Sequence, residues 1–406
     1  MKVALVHDYL NEYGGAERVL EALAEIFPKA PIYTAFVNKN SPAYRRFKSK
    51  KIITSWAQNI PFFATRLYSP LRFLAPFIWG SFDFSGFDVV LASSSWFVTK
   101  GFNPTLLKEL RGARKRPIEI CYCHTPPRYL YGYKTSVDWQ KYWLVRAYAL
   151  IVNHFMRVYD FESAQRVDYF IANSREVQAR IKKFYRRDSK VIYPPVDFSA
   201  FSKFQRLASS KKKSLNANSL DANSYFLVVS RLVASKNVDV VVQVCAKLGL
   251  PLKVVGTGRE MANLKKLAIS NVKFQMSNVE FLGDVSDKEL ISLYQNCRAV
   301  IFAASQEDFG LVPVEAMAAS KPVIANAEGG VLESVIDAIP AGRGRGTGVY
   351  FDPPTAGSLT LAINNFVDLE KRGYFDPKFI RHHAQKFSKE RFKKEILKYL
   401  VKRLNE

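Results

Sequence analysis

The sequence contains no run of about 18 uninterrupted apolar residues, the length a membrane-spanning helix requires. Its two longest candidates, Phe73 to Trp79 and Leu144 to Met156, are cut by Pro76 and by Arg146, Asn153 and His154, so integral membrane topology is excluded. Cysteine is scarce: Cys121, Cys123, Cys245 and Cys297 are the only four, one pair is close, and no histidine stands at ligand spacing. That excludes both a disulfide framework and a zinc quartet, and makes a reducing cytoplasm the expected compartment. The apolar start, Met1 to Val6, is too short for a signal core and runs into His7 and Asp8, so the protein is expected to stay inside. Acid is also in short supply. There are 36 Asp plus Glu against 60 Lys plus Arg, a formal net charge of +24, which calls for an anionic partner or surface.

The deficit is concentrated. From Ile26 to Phe82 there is no acidic residue, while nine bases occur, and Trp56, Phe62, Phe63, Tyr68, Phe73, Phe77, Trp79 and Phe82 crowd its second half. Bases for anionic headgroups and aromatics for the interface suit a protein held peripherally on an anionic membrane surface. The competing reading is a basic loop over aromatics buried in a core. Nucleic acid is not expected as a partner: the aromatics alternate with Pro61, Pro70 and Pro76, and no zinc-finger, RRM or basic-helix signature occurs.

A chain of 406 residues with 48% hydrophobic and 24% charged residues is globular and long enough for two domains. Short β-rich runs alternate with helical patterns, which predicts α/β architecture with parallel sheets. The first half gives strands at Val3–Val6, Val89–Ala92, Ile118–Tyr122 and Tyr169–Ala172, and a helix at Ala16–Phe27. After a break at Tyr193 to Val196 comes Leu207 to Ser224, rich in Ser, Lys and Asn and read as a linker or mobile loop. A second series runs from Tyr225 through strands at 252–255, 279–282, 299–303 and 322–325, with helices between them. Two Rossmann-like halves place a ligand in the cleft between the carboxyl ends of both sheets. The segment Lys371 to Glu406 carries twelve bases and four acids at helical spacing and is expected to pack back across the domains.

The densest chemical signal is Ser305 to Glu315, between a buried strand and a helix. Glu307 and Glu315 flank Phe309, Gly310, Leu311 and Val312, whose backbone amides stand at a helix start, an anion site by default. A carboxylate on each side of an anion site suits a nucleotide diphosphate sugar, with phosphates on the amides and hydroxyls on the acids. The plainer alternative is a dipole-stabilised acid and an ordinary surface glutamate. Arg231 and Lys236 follow the first strand of the second half and could neutralise one diphosphate; Gly256 and Gly258, after another strand, would allow close approach to a base or ribose. In the first half, Gly14-Gly15-Ala16-Glu17-Arg18 is a nest for an anion at a helix start, and His124, closing the strand that carries Cys121 and Cys123, stands at the ligand-binding end.

Together these residues resemble the GT-B retaining glycosyltransferases of family four over nearly the whole chain. The resemblance rests on the Arg231–Lys236 spacing, Gly256-Thr257-Gly258, Phe281-Leu282-Gly283-Asp284-Val285, the Glu307-x7-Glu315 motif, Glu328-Gly329-Gly330, the Gly14-Gly15-Ala16-Glu17-Arg18 loop and Cys123 to Arg128. The first half looks like the mannosyltransferases that build bacterial O-antigen and exopolysaccharide. The resemblance implies a GT-B fold, two Rossmann-like domains facing each other across a cleft: an acceptor domain at 1–200, joined by the terminal helix 380–406, and a donor domain at 201–379. It implies a metal-independent hexosyltransferase using a nucleotide-sugar, expected to be GDP-mannose, on a lipid-linked or saccharide acceptor at the inner membrane face. Arg231 and Lys236 would hold the diphosphate, Glu315 the ribose and Glu307 the transferred sugar. His124 would contact that sugar near the reacting centre, Asp284 and Val285 would flank the base, and Gly14 and Gly15 would approach the phosphates. No metal site and no covalent nucleophile are expected. The alternatives are a UDP- or ADP-sugar transferase with a soluble acceptor, and a non-catalytic nucleotide-sugar-binding protein. The Leu207 to Ser224 segment and a glycine-rich insertion at Ala341 to Gly348 have no place in the motif pattern.

Overall fold

A computed structural model describes residues 1–102, 116–135, 142–201, 225–270, 278–338 and 345–406. The chain divides into two compact units, Met1–Pro195 with Glu390–Glu406, and Val196–Lys389. The Leu207 to Ser224 segment lies outside the described residues, as do positions 341–344 of the glycine-rich insertion.

The first unit is built on seven parallel strands: β1 (Val3–His7), β2 (Ile32–Thr34), β3 (Ile52–Thr54), β4 (Val89–Ser94), β5 (Ile118–Cys123), β6 (Tyr169–Ala172) and β7 (Ser189–Val191), in the spatial order β3-β2-β1-β4-β5-β6-β7. Every residue of β1 and β4 is buried, as befits central parallel strands covered on both faces. One face packs Val6, Val90, Ala92 and Cys121 with Phe36, Phe63 and Phe97. The other packs Leu5, Leu91 and Ile120 against the helix Gly15–Ile26, through Val19, Leu20 and Leu23, and against the final helix.

That final helix, Lys389–Leu404, buries Phe392, Ile396 and Leu400 at intervals of four, one apolar stripe aimed at the sheet. Lys393 pairs with Glu25 at 2.5 Å, and the Arg391 Nη2 donates to the Tyr193 carbonyl at 2.7 Å. The preceding helix, Pro377–Ala384, stays with the second unit, where Arg381 Nη1 donates to the Ala318 carbonyl at 2.6 Å. The stretch read from sequence as one piece, 380–406, therefore changes unit at 389/390.

The second unit has six parallel strands: β8 (Phe226–Val229), β9 (Leu252–Val255), β10 (Val279–Gly283), β11 (Ala299–Phe302), β12 (Val323–Asn326) and β13 (Gly348–Phe351), in the order β10-β9-β8-β11-β12-β13. Counted from its own first strand this is 3-2-1-4-5-6, the doubly wound order. Its core joins β8, β9 and β11 to the helix Val238–Leu248 through Val241, Val242 and Cys245.

Two findings modify the sequence reading. The acid-free stretch is not a loop throughout: β2 and β3 lie inside it. Its aromatics also divide. Phe63 and Trp79 are buried, with the Trp79 indole N–H donating to the Phe97 carbonyl at 2.9 Å, whereas Trp56, Phe62, Phe73 and Phe77 are exposed. Trp79 therefore belongs to the core and cannot meet a lipid surface.

Because Ile396 is fully buried and Leu397 is 44% exposed, Ile396→Ala should cost about 2–4 kcal/mol and Leu397→Ala less than about 0.5 kcal/mol in denaturant titrations. Equal costs would contradict the packing of this helix.

Candidate functional site

In the second unit strand order reverses between β8 and β11, so their carboxyl ends send loops in opposite directions and leave a small pocket with room for about one water molecule. Ser230, Lys236, Val238 and residues 302–304 are among its lining. Lys236, one of the lining residues, has its Nζ 2.5 Å from Glu307 Oε2, both side chains less than one-fifth exposed. Two loops are fastened together to hold this pair. Asn237, at φ +47°, donates its side-chain amide to the Ala303 carbonyl and the Ser305 hydroxyl, each at 2.8 Å, and the Ser305 amide donates to the Ser235 carbonyl at 3.1 Å. Arg231 is exposed at the start of the same loop.

Gly310, at φ +83°, turns the chain into the helix Leu311–Ala318. Phe309 and Gly310 are buried, and Leu311 and Val312 half-buried. Glu315 is buried, and its Oε2 accepts from the Tyr294 hydroxyl at 2.7 Å, so it is not the ordinary surface glutamate of the plainer sequence reading. The structure thus brings Arg231, Lys236, Glu307 and the 309–315 helix start to one end of one sheet.

The glycines of this unit have a role the sequence reading did not give them. A Cβ on Gly256 would lie 1.9 Å from the Ser230 carbonyl oxygen, and one on Gly258 2.1 Å from that of Leu232. The close approach they allow is to the backbone of the Arg231 loop, and the Leu232 amide donates to Thr257 at 2.9 Å. The Gly256 amide donates to the Gly283 carbonyl at 2.7 Å, so exposed Asp284 and half-buried Val285 follow directly from this seam. Likewise, the Gly330 amide donates to the Glu307 carbonyl at 2.9 Å, and a Cβ on Gly329 would reach that oxygen at 2.3 Å.

The first unit has its own reversal, between β1 and β4. There the end of β1 supplies His7, β4 supplies Ser93, and the residue after β5 is His124. The Ser93 hydroxyl lies 2.8 Å from His124 Nε2 and 3.1 Å from His7 Nδ1, and His7 Nε2 lies 3.4 Å from Glu17 Oε1. All four side chains are buried. The second Glu17 oxygen accepts the Gly14 amide at 2.8 Å, so the anion nest read at Gly14 and Gly15 already has a carboxylate of its own chain on one amide; Gly15 is exposed. Sequence reasoning assigned no role to His7, Glu17 or Ser93. The available signal was their position, at two strand ends and at the third residue of a helix.

Burial alone would pull the His7 imidazole down, but the hydrogen bond and charge of Glu17, with the charge of Asp8, hold it above its ordinary 6.5. Burial works against Glu17 too, and is outweighed by His7 and the Gly14 amide, so its carboxyl sits below its ordinary 4.5. Burial pushes the thiols of Cys121, Cys245 and Cys297 up, the last two to about 12, which leaves none of these three as a thiolate nucleophile at neutral pH. Among the described residues, no group of three or more His, Cys, Asp or Glu is placed to hold a metal ion.

Comparison with known proteins gives this geometry its class. The model for glycosyltransferase family 4 matches residues 13–200, and the model for glycosyl transferases group 1 matches residues 210–379. Over 99% of this chain and 100% of the other, the structure superposes on Anabaena HepE in complex with UDP, with TM-score 0.66 and 18% identity. Sucrose-phosphate synthase of Thermosynechococcus elongatus gives 0.67 and 17% identity, with 99% of each chain covered. This chain belongs to the family 4-type GT-B glycosyltransferases.

Among its relatives are the human alpha-1,3/1,6-mannosyltransferase ALG2, 26% identical with 72% of this chain and 70% of that protein covered. An uncharacterized glycosyltransferase of Methanocaldococcus jannaschii is 31% identical over 37% of this chain, and the match spans 41% of that protein.

The first-unit His7–Glu17 pair gives a pH signature. The His7 contribution to stability is complete below pH 6.5 and is lost as pH rises through its elevated native value; the Glu17 contribution is complete above pH 4.5 and is lost as pH falls through its lowered native value. Glu17→Gln should cost about 3 kcal/mol, as losing one partner of a buried pair does. The melting-temperature gap from wild type should be widest between pH 4.5 and 6.5 and narrow at higher pH. A gap that stays constant from about pH 5 to about pH 9 would show that the pair is not ionised as described.

Proposed function

We propose that this glycosyltransferase moves mannose from GDP-mannose onto a lipid-linked or saccharide acceptor, with retention and without a metal. In this reading it works at the cytoplasmic face of a membrane in cell-surface polysaccharide synthesis. The observation that carries the proposal is the half-buried Lys236–Glu307 pair at the switch point of the second unit, with Arg231 on the same loop. Breaking the bond between the sugar and the diphosphate leaves negative charge on the departing nucleotide. Fixed cations at that position stabilise this charge as a metal does in other transferases. Glu307, holding Lys236 now, takes the transferred sugar's hydroxyls when the diphosphate claims the lysine, and Glu315, braced by Tyr294, takes the ribose.

The chemistry balances with no enzyme-bound intermediate. The acceptor hydroxyl forms the new bond on the face the phosphate leaves, and its proton passes to the departing phosphate. In this scheme the second unit binds the donor, with Asp284 and Val285 beside the base, and the first binds the acceptor. The relation to the ALG2 mannosyltransferases supports mannose. The exposed aromatics of the acid-free stretch support a lipid acceptor. UDP-sugar use is the second reading, favoured by the UDP and UDP-glucose bound in the HepE structures.

A metal-free thermal-shift panel of GDP, UDP, ADP and their sugars separates these readings. GDP and GDP-mannose should stabilise the wild type, by about 2.7 kcal/mol at a hundredfold excess over Kd, and Glu315→Ala should lose the shift. Mannosyl transfer should fall about 100-fold or more in Lys236→Ala. A shift with UDP alone would replace the donor, and transfer that EDTA abolishes would overturn the metal-free mechanism.

A further inference from the structure

In the first unit the helix Trp143–Arg166 buries Ala149, Asn153, Met156, Asp160, Ser163 and Ala164 along one side. The opposite side is not polar. Leu144, Ile151, Phe155 and Val158, spaced by seven, four and three residues, form an exposed stripe, and Trp143 and Leu150 flank it at 72% and 75% exposure. A helix that is apolar on both sides, with one side uncovered, needs a partner. Of the 19 large hydrophobic side chains exposed among the described residues, twelve lie either here, at 142–158, or in the segment 56–77, so the exposure is a patch rather than scatter.

The two segments are fastened together. The Tyr148 hydroxyl donates to the Pro70 carbonyl, and Arg72 Nη2 donates to Asn153 Oδ1 at 2.9 Å with its guanidinium 5.2 Å from the Tyr148 ring. Phe62, Phe73 and Phe77 stand exposed on the second segment, and Phe62 does so at φ +59°, a left-handed backbone that favours glycine. Charge selects the occupant. Neither 26–82 nor 142–159 contains an acidic residue, while Arg66, Arg146 and Arg157 are exposed among the aromatics. A second copy of this chain would set these arginines against their own kind, whereas an anionic bilayer takes the apolar stripe into its acyl boundary and the arginines among its headgroups.

We propose that the helix face Trp143–Val158, with Phe62, Phe73 and Phe77, is the surface by which this chain docks on an anionic lipid bilayer. This rests on the membrane reading above and names its residues. Sedimentation with phosphatidylethanolamine–phosphatidylglycerol vesicles tests it. Wild type should pellet with these vesicles and not with phosphatidylcholine alone. The triple substitution Leu150→Glu, Ile151→Glu, Phe155→Glu, at sites 62–75% exposed, should lower the bound fraction at least tenfold, with the nucleotide thermal shift unchanged.

Leu361→Glu, on an equally exposed apolar side chain of the second unit, should bind vesicles as wild type does. If wild type binds and the triple variant binds equally, the surface is wrong while the membrane reading stands. If wild type ignores anionic vesicles, both fall, and the nucleotide shift still reports on transfer. Lipid-free wild type that elutes as a dimer, with the triple variant monomeric, assigns the patch to self-association and overturns the proposal.

Discussion

A parallel sheet must return every connection across one of its faces, and wherever the strand order reverses, neighbouring loops are forced apart. This constraint acts twice in the chain, between β1 and β4 and between β8 and β11, and each site is assembled at such a point. In the second unit the reversal opens the pocket beside Lys236. In the first it collects His7, Ser93 and His124 from three strand ends. The rest of each unit serves to cover the two faces of its sheet so that these ends stay in register.

The two sites use charge differently. The His7–Glu17 pair is buried and closed, its carboxylate satisfied by the imidazole and by the Gly14 amide. Such a pair fixes geometry more than it adds stability, and through Ser93 it orients the ring of His124. The Lys236–Glu307 pair is only half-buried, and a lysine is a compact cation on a flexible stem. It can exchange one anionic partner for another, which a closed pair cannot, and this suits the diphosphate-binding role proposed for it.

Much of this was legible in the sequence because it depends on local pattern. Strands at β1, β4, β5 and β6 and the whole βα series from Tyr225 to Ala325 fall where periodicity places them, and so do the loops bearing Arg231, Lys236 and Glu307. The family resemblance followed from the same motifs. β2, β3 and β7 are three residues each, too short for a period-2 signal, and β13 starts on a glycine in a glycine-rich run. The His7–Ser93–His124 contacts join residues 86 and 31 positions apart, a distance no local pattern reports. Composition likewise counted eight aromatics in the acid-free stretch without separating Trp79, in the core, from Phe62 and Phe77, in solvent.

The central claim is that a nucleotide-sugar is held at the β8/β11 reversal of the second unit. Photo-crosslinking of the full chain with an azido-GDP probe, followed by peptide mapping, tests it most directly. The account predicts label on peptides containing residues 256–258, 283–285 or 307–315, displaced by excess GDP-mannose and lost in Lys236→Ala. Label confined to the first unit, or label that GDP-mannose fails to displace, would contradict it.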